Sequence, residues 1–232
     1  MKLGILQLDT AFERLPGDAG HAATWPFAVQ HRIMHGLTPD AVMQGDCAQT
    51  LAIVRDAAQA LADDGADLIT TTCGFLVLMQ AAVAVHCPVP FISSSLLQIP
   101  WLQAVLPASK TIGVLASSAQ TLSDAHWRGA GLAAGAERKL HVAGFEADAH
   151  FIRVMRGQDA QADPARLQDE VLAVAKKLVQ QHPDIAAIVS ECANLPRYAA
   201  LIREHTGRPV FDLYTLVLWQ ASGRGLYSPA FL

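Results

Sequence analysis

Charge is scarce in this chain: Asp, Glu, Lys and Arg make up 16% of 232 residues, and the balance is −4 at pH 7. No cluster of Lys and Arg interrupts that pattern, so a nucleic-acid partner would find no basic face. No apolar run approaches the roughly 20 residues of a membrane helix, and a membrane partner is not expected. The opening Met1-Lys2-Leu3-Gly4-Ile5-Leu6 enters a strand pattern without the charged, apolar and cleavage regions of a secretory leader, which points to the cytoplasm. Four cysteines lack the spacing of a disulfide framework and are expected as free thiols. There is no C-x-x-C pair, and no metal site is expected. Neither G-x-G-x-x-G nor a P-loop occurs, so nucleotide binding has no support. Lysines number five, Lys2, Lys110, Lys139, Lys176 and Lys177, all at element edges or on polar helix faces. None suits a Schiff base to pyridoxal phosphate, and cofactor-free chemistry is expected.

What the chain does have is apolar residues, 52% of the total, distributed in short runs between helical patterns. Leu3 to Leu8 reads as a strand ending at Asp9-Thr10. A long segment over 11–45 follows, rich in turn residues and carrying Arg14, His21, Trp25, His31 and Arg32, with Phe27 to His35 a second strand inside it. Asp46 is a candidate N-cap for a helix in which Leu51, Val54, Ala58 and Leu61 share a face. Asp67 to Thr72 is the next strand and Phe75 to Val85 the next helix, and Pro88 to Ile92 is a strand ending in Ser93-Ser94-Ser95. Alternating strands and helices of this kind predict parallel βαβ units.

At Lys110 the pattern restarts. Thr111-Ile112-Gly113-Val114-Leu115 matches Lys2 to Leu6 in character, and Ser117-Ser118 stand where Asp9-Thr10 stood. A helix is predicted over Ala119–Ala133 and a strand over His141–Phe145, followed by an amphipathic helix through Leu167, Val171, Val174 and Leu178. The strand Ile185–Val189, a helix over Arg197–His205, a last strand Pro209–Asp212 and a last helix from Leu213 complete the series. Gly4 corresponds to Gly113, Cys73 to Cys192 and Phe91 to Phe211. The chain therefore reads as an internal duplication. One α/β lobe spans 1–108, a second spans 109–212, and the terminal helix over 213–232 is free to pack back on the first.

The duplication places two cysteines at equivalent strand tips, in Thr72-Cys73-Gly74-Phe75 and Glu191-Cys192-Ala193-Asn194. Carboxyl ends of parallel strands are where open α/β sheets bind ligands. With the lobes facing each other, the two thiols flank one substrate carbon. Such a pair suits proton removal on one face and proton delivery on the other, provided following helix N-termini favour a thiolate and make it reactive. The anion formed beside a carboxylate needs donors. Candidates are the backbone N–H groups of Gly74, Phe75 and Ala193, the hydroxyls of Thr10, Ser93, Ser117, Ser118 and Thr121, and the Asn194 amide, with Asp9 beside them. The expected partner is a small carboxylate-bearing substrate, and a homo-oligomer is compatible with the pattern. Cys47 and Cys87 have no mirrored partner and read as packing residues.

These residues resemble the aspartate/glutamate/hydantoin racemase superfamily over nearly the whole chain. The resemblance implies two pseudo-symmetric parallel-sheet lobes with a catalytic cysteine from each, at Cys73 and Cys192, and no cofactor. It implies that Asp9-Thr10 is the polar pair ending the first strand, and that Ser117 and Thr121 are the hydroxyls after the first strand of the second lobe. Departures are also visible. Gly74-Phe75 stand where amino-acid racemases carry Asn-Thr, and Ala193-Asn194-Leu195 where they carry Thr-His or Thr-Glu. Cys192-Ala193-Asn194-Leu195 is closer to the Cys-Thr-Asn-Leu of maleate isomerase relatives. The implied function is a two-cysteine racemase or epimerase acting beside a carboxylate or carbonyl. A cis–trans isomerase with one nucleophilic cysteine, or a non-catalytic small-acid binder, stands as the alternative.

Overall fold

The computed structural model describes residues 1–44, 47–159 and 161–228. The Asp46 N-cap lies outside these residues. The first lobe is a four-stranded parallel sheet, order β2-β1-β3-β4, made from β1 (Lys2–Leu8), β2 (Ala28–Met34), β3 (Leu68–Thr71) and β4 (Phe91–Ile92). Leu3 lies opposite Val29 on one side and Leu68 on the other. The second lobe repeats the order as β6-β5-β7-β8, from β5 (Thr111–Leu115), β6 (Leu140–Ala143), β7 (Ile185–Ser190) and β8 (Val210–Phe211). Glycines 4 and 113 have the same structural cause. A Cβ on Gly4 would lie 3.0 Å from Leu61 Cδ1, and one on Gly113 would lie 2.9 Å from Leu178 Cδ2. In each lobe a leucine of the crossover helix seats against the bare backbone of the first strand.

Those crossover helices are the long amphipathic ones. After the short α1 (Pro39–Gln44), α2 (Cys47–Asp63) buries Thr50, Val54, Ala57, Ala58 and Leu61 on one face. Its counterpart α7 (Pro164–Gln181) buries Leu167, Val171, Leu172, Ala175 and Leu178. Asp163 caps α7 by accepting from the Ala165 and Arg166 N–H groups, and Pro164 supplies a preset first turn. Elsewhere the helices are shorter than their sequence patterns predict. The 75–85 pattern resolves into a 3-10 run, Gly74–Met79, and α3 (Gln80–Ala84). The 119–133 pattern reduces to a 3-10 turn at Ala119–Thr121 and α5 (Asp124–Gly129).

The lobes exchange helices. In α4 (Ile99–Val105), Ile99 and Leu102 pack with Ile112, Val114 and Val189 of the second sheet. In α9 (Leu213–Gly223), Leu213, Leu216 and Val217 pack with Leu3, Ile5 and Leu68 of the first sheet. Polar ties cross at the same seam: Ser95 Oγ donates to the Ser190 carbonyl at 2.6 Å, and Gln98 Nε2 to the Asp212 carbonyl at 3.0 Å. The remaining helices, α6 (His150–Met155) and α8 (Ala199–Thr206), cover the second lobe. No helix among the described residues is long and apolar enough to cross a membrane.

Candidate active site

The carboxyl ends of β1, β3, β5 and β7 converge between the lobes, and each delivers part of one small cavity of about 80 Å³. Thr10 comes from the end of β1, Thr72-Cys73-Gly74-Phe75 from β3, Ser117 from β5, and Glu191-Cys192-Ala193-Asn194 from β7. The strand tips are pinned to one another: Leu8 N–H donates to Thr72 Oγ1 at 3.1 Å, and Glu191 N–H to the Leu115 carbonyl at 2.7 Å. Thr71 Oγ1 donates to the Cys73 carbonyl and accepts from the Cys73 N–H, holding that turn from beneath. Both thiols therefore line the same space, Cys73 buried and Cys192 partly exposed into it.

The 11–45 segment joins this site through its first half. Ala19 N–H donates to the Ala193 carbonyl at 2.9 Å, and the Trp25 indole donates back to Ala19 while packing on Tyr214. This places Arg14 and Phe12 in the cavity wall, the guanidinium 4.6 Å from the ring centre. Arg14 donates to Asp18 at 2.9 Å and to Thr10 Oγ1 at 3.2 Å, yet its buried Nε has no partner among the described residues. Asp18, itself buried, also accepts a short hydrogen bond from Asn194 Nδ2. Asn194 is thereby oriented so that its Oδ1 accepts from the Cys192 thiol at 3.4 Å.

A carboxyl shares the cavity with the cysteines. Glu191 is buried and lines the cavity, accepts from the Ser117 backbone N–H, and leaves Oε2 without a partner. Burial pushes it up to about 8. Burial, and then the Glu191 charge, push Cys73 up to about 12, against smaller opposing effects from the Phe75 and Leu76 N–H groups and Arg14. Cys192 moves in the same direction for the same two leading causes. Water or a ligand reaching its exposed edge would temper that shift. The expected reactive thiolate is thus corrected: burial favours the neutral thiol at both cysteines. Cys73 heads a 3-10 run, and three residues separate Cys192 from a 3-10 turn at Pro196–Tyr198, so neither thiol sits on an α-helix N-terminus strong enough to offset burial.

Of the expected site residues, Thr10, Cys73, Gly74, Phe75, Ser117, Cys192, Ala193 and Asn194 line the cavity. Four do not. Asp9 turns outward, accepting from the Gly36 N–H with its side chain 45% exposed. Ser93 is buried under the sheet, donating to Gln80 Oε1 at 2.6 Å. Ser118 and Thr121 face an adjoining hollow of about 280 Å³ that shares Pro39, Phe75, Ser117 and Met155 with the cavity. A larger hollow of about 590 Å³ beside α7 contains neither cysteine and stands apart from this chemistry. Arg14, Asp18 and Glu191 were not among the sequence candidates. Glu191 had a signal, an acid placed directly after the apolar run Ile185–Val189, whereas Arg14 and Asp18 lie in a loop without periodicity.

No family model matches the chain. Sequence similarity does reach a group of named enzymes. A dimethylsulfoniopropionate lyase of Durusdinium sp. clade D is 29% identical over 223 residues, covering 90% of this chain and 70% of the relative. Dimethylsulfoniopropionate lyases 5 and 7 of Emiliania huxleyi are each 28% identical, covering 93% and 92% of this chain but only 44% and 64% of their own lengths. These relatives are named lyases, which overturns the expectation of a racemase or epimerase and gives an isomerase class no support. Two acid–base groups beside one carbon serve both classes, and the difference lies in a leaving group that only the substrate carries. Solved structures supply the architecture. Glutamate racemase from Aquifex pyrophilus superposes with TM-score 0.56 at 14% identity, covering 97% of this chain and 84% of that one. Arylmalonate decarboxylase gives 0.57 at 17%, covering 96% and 92%. An aspartate racemase homologue from Pyrococcus horikoshii OT3 gives 0.56 at 16%, covering 97% and 99%. With its two four-stranded parallel sheets and helices on both, the chain has the two-lobed α/β fold of the aspartate/glutamate racemase superfamily.

Proposed function

We propose that this chain is a carbon–sulfur lyase that eliminates a dialkyl sulfide from a small β-sulfonium carboxylate of the dimethylsulfoniopropionate type. The observation that carries the reading is the similarity to dimethylsulfoniopropionate lyases over nine-tenths of the chain, a span that includes both lobes. The site chemistry agrees with it. The reaction breaks a Cα–H bond and the Cβ–S bond and forms a carbon–carbon double bond. The products are dimethyl sulfide, acrylate and a proton, and the electron pair of the Cβ–S bond leaves on sulfur.

Removing the Cα proton puts negative charge on the substrate carboxylate, so donors aimed there lower the barrier. The Arg14 guanidinium and the Thr10 hydroxyl it contacts, both in the cavity wall, supply them. Cys73 and Cys192 stand as the proton-accepting groups, and separate serine variants identify which one carries the Cα proton. Phe12, Phe75 and Met155 give the cavity apolar walls for the S-methyl groups. Incubation with dimethylsulfoniopropionate, followed by headspace gas chromatography, should show dimethyl sulfide accumulating with time and enzyme. Its absence across a panel of β-sulfonium acids would remove the reading.

A further inference from the structure

One buried group remains without a task in that scheme. Glu191 lines the cavity that both thiols line, its Oε2 has no partner among the described residues, and Gly74 is bare where the carboxyl sits. A Cβ on Gly74 would clash with Glu191 Oε1 and lie 2.6 Å from the Glu191 backbone oxygen. The turn after β3 is thus shaped to admit a carboxyl that has the Ser117 N–H as a donor but no charged partner among the described residues. A buried unpaired anion is strongly disfavoured, so the group holds its proton until a positive charge arrives. The reading of the chain as a lyase for sulfonium acids, on which this inference rests, provides one.

We propose that Glu191 is the counter-ion for the onium end of the substrate. It is a neutral acid while no substrate is bound, and it gives up its proton when a sulfonium or quaternary ammonium carboxylate enters. It thereby selects cationic over neutral ligands of the same shape. The charges around it are consistent with this. Cys73 faces it from the turn after β3 and Cys192 from the turn after β7, both pushed towards the neutral thiol. The Arg14 and Asp18 charges are largely spent on each other in the loop after β1. Glu146 and Arg156 lie farther out, across the adjoining hollow. The Glu191 carboxyl, up at about 8, is the most acidic of the three groups held neutral by burial.

The proton balance closes. Binding of the zwitterion releases the Glu191 proton to solvent. Elimination then moves the Cα proton onto a cysteine sulfur, which passes its own S–H proton to the Glu191 carboxylate, while the sulfonium leaves as neutral sulfide. With the cation gone, that proton belongs on Glu191, and acrylate departs from a site returned to its starting charge. The net change is the single proton that the reaction requires.

Two unreactive ligands of one shape test the inference by calorimetry at pH 7 in buffers of differing ionisation enthalpy: 3-(trimethylammonio)propionate and 4,4-dimethylpentanoate, the isostere whose tert-butyl end carries no charge. The wild-type chain should release about one proton on binding the cation and none with the isostere. It should also prefer the cation by roughly tenfold or more. Glu191→Gln, an amide of the same shape as the neutral acid, should bind without proton release and lose the preference. Binding of the cation without proton release, or an unchanged preference in Glu191→Gln, overturns the assignment and leaves the lyase reading standing. The wild-type proton count needs no variant to fold. Failure of both ligands to bind, with no turnover of the sulfonium acid, removes the lyase reading and this inference with it.

Discussion

Glu191 occupies the volume that a side chain at position 74 would fill, so Gly74 and Glu191 form one unit although they come from different lobes. A methyl at position 74 must displace the carboxyl or spread the strand tips. Gly74→Ala should therefore destabilise the chain by about 1–3 kcal/mol and lower sulfide release at least tenfold, read by thermal unfolding and gas chromatography. Wild-type stability together with wild-type turnover would show that the two residues are not coupled.

Stability should fall as pH rises through the Glu191 range. With an ordinary value of 4.5 and a folded value of about 8, the folded chain keeps a proton there that the unfolded chain has lost. Unfolding is thus easier at pH 8 than at pH 5 on account of this group, by an amount on the order of a few kcal/mol, and the penalty is constant above about 8. Glu191→Gln should flatten that part of the profile in urea titrations at several pH values. An equal slope in both proteins would place the titration elsewhere.

Thiol labelling should run opposite to the usual expectation for catalytic cysteines. At pH 7, without ligand, iodoacetamide should modify exposed Cys47 before Cys73 or Cys192, whose thiolates are disfavoured by burial. Peptide mapping by mass spectrometry reads the order, and rapid labelling of Cys73 would contradict it.

Arg14→Lys keeps the charge but removes the planar guanidinium from the cavity wall. KM for the sulfonium acid should rise roughly tenfold, the effect of one lost charge-assisted hydrogen bond. An unchanged KM would assign the substrate carboxylate to other donors.

The exchange of α4 and α9 between lobes predicts one unfolding transition rather than two. Leu216→Ala, in the apolar face that α9 lays on the first sheet, should cost about 2–4 kcal/mol and shift that transition as a whole. Calorimetry showing a lobe that melts separately would contradict the packing.

The parts of this molecule that repeat could be read from its sequence. Gly4 and Gly113, Cys73 and Cys192, and the faces of α2 and α7 all follow from periodic burial or from the duplication, and their positions in space agree with that pattern. What escaped notice depends on single contacts. Ser93 and Asp9 occupy strand tips, as expected, but a neighbouring Gln80 and a turn at Gly36 draw them away from the cavity. Arg14 and Asp18 enter the site through the Ala19–Ala193 hydrogen bond, a tertiary contact with no local signature. The proposed reaction is harder still to read from the sequence, because two thiols at strand tips do not encode which bond of a substrate breaks.

The most direct test follows wild type, Cys73→Ser, Cys192→Ser and the double variant by proton NMR with dimethylsulfoniopropionate. Wild type should form acrylate and dimethyl sulfide in equal amounts. Loss of the proton-accepting thiol should slow that by roughly 10²–10⁴-fold, and the double variant should be inactive. No acrylate from the wild type, or turnover by the double variant at the wild-type rate, would contradict the account.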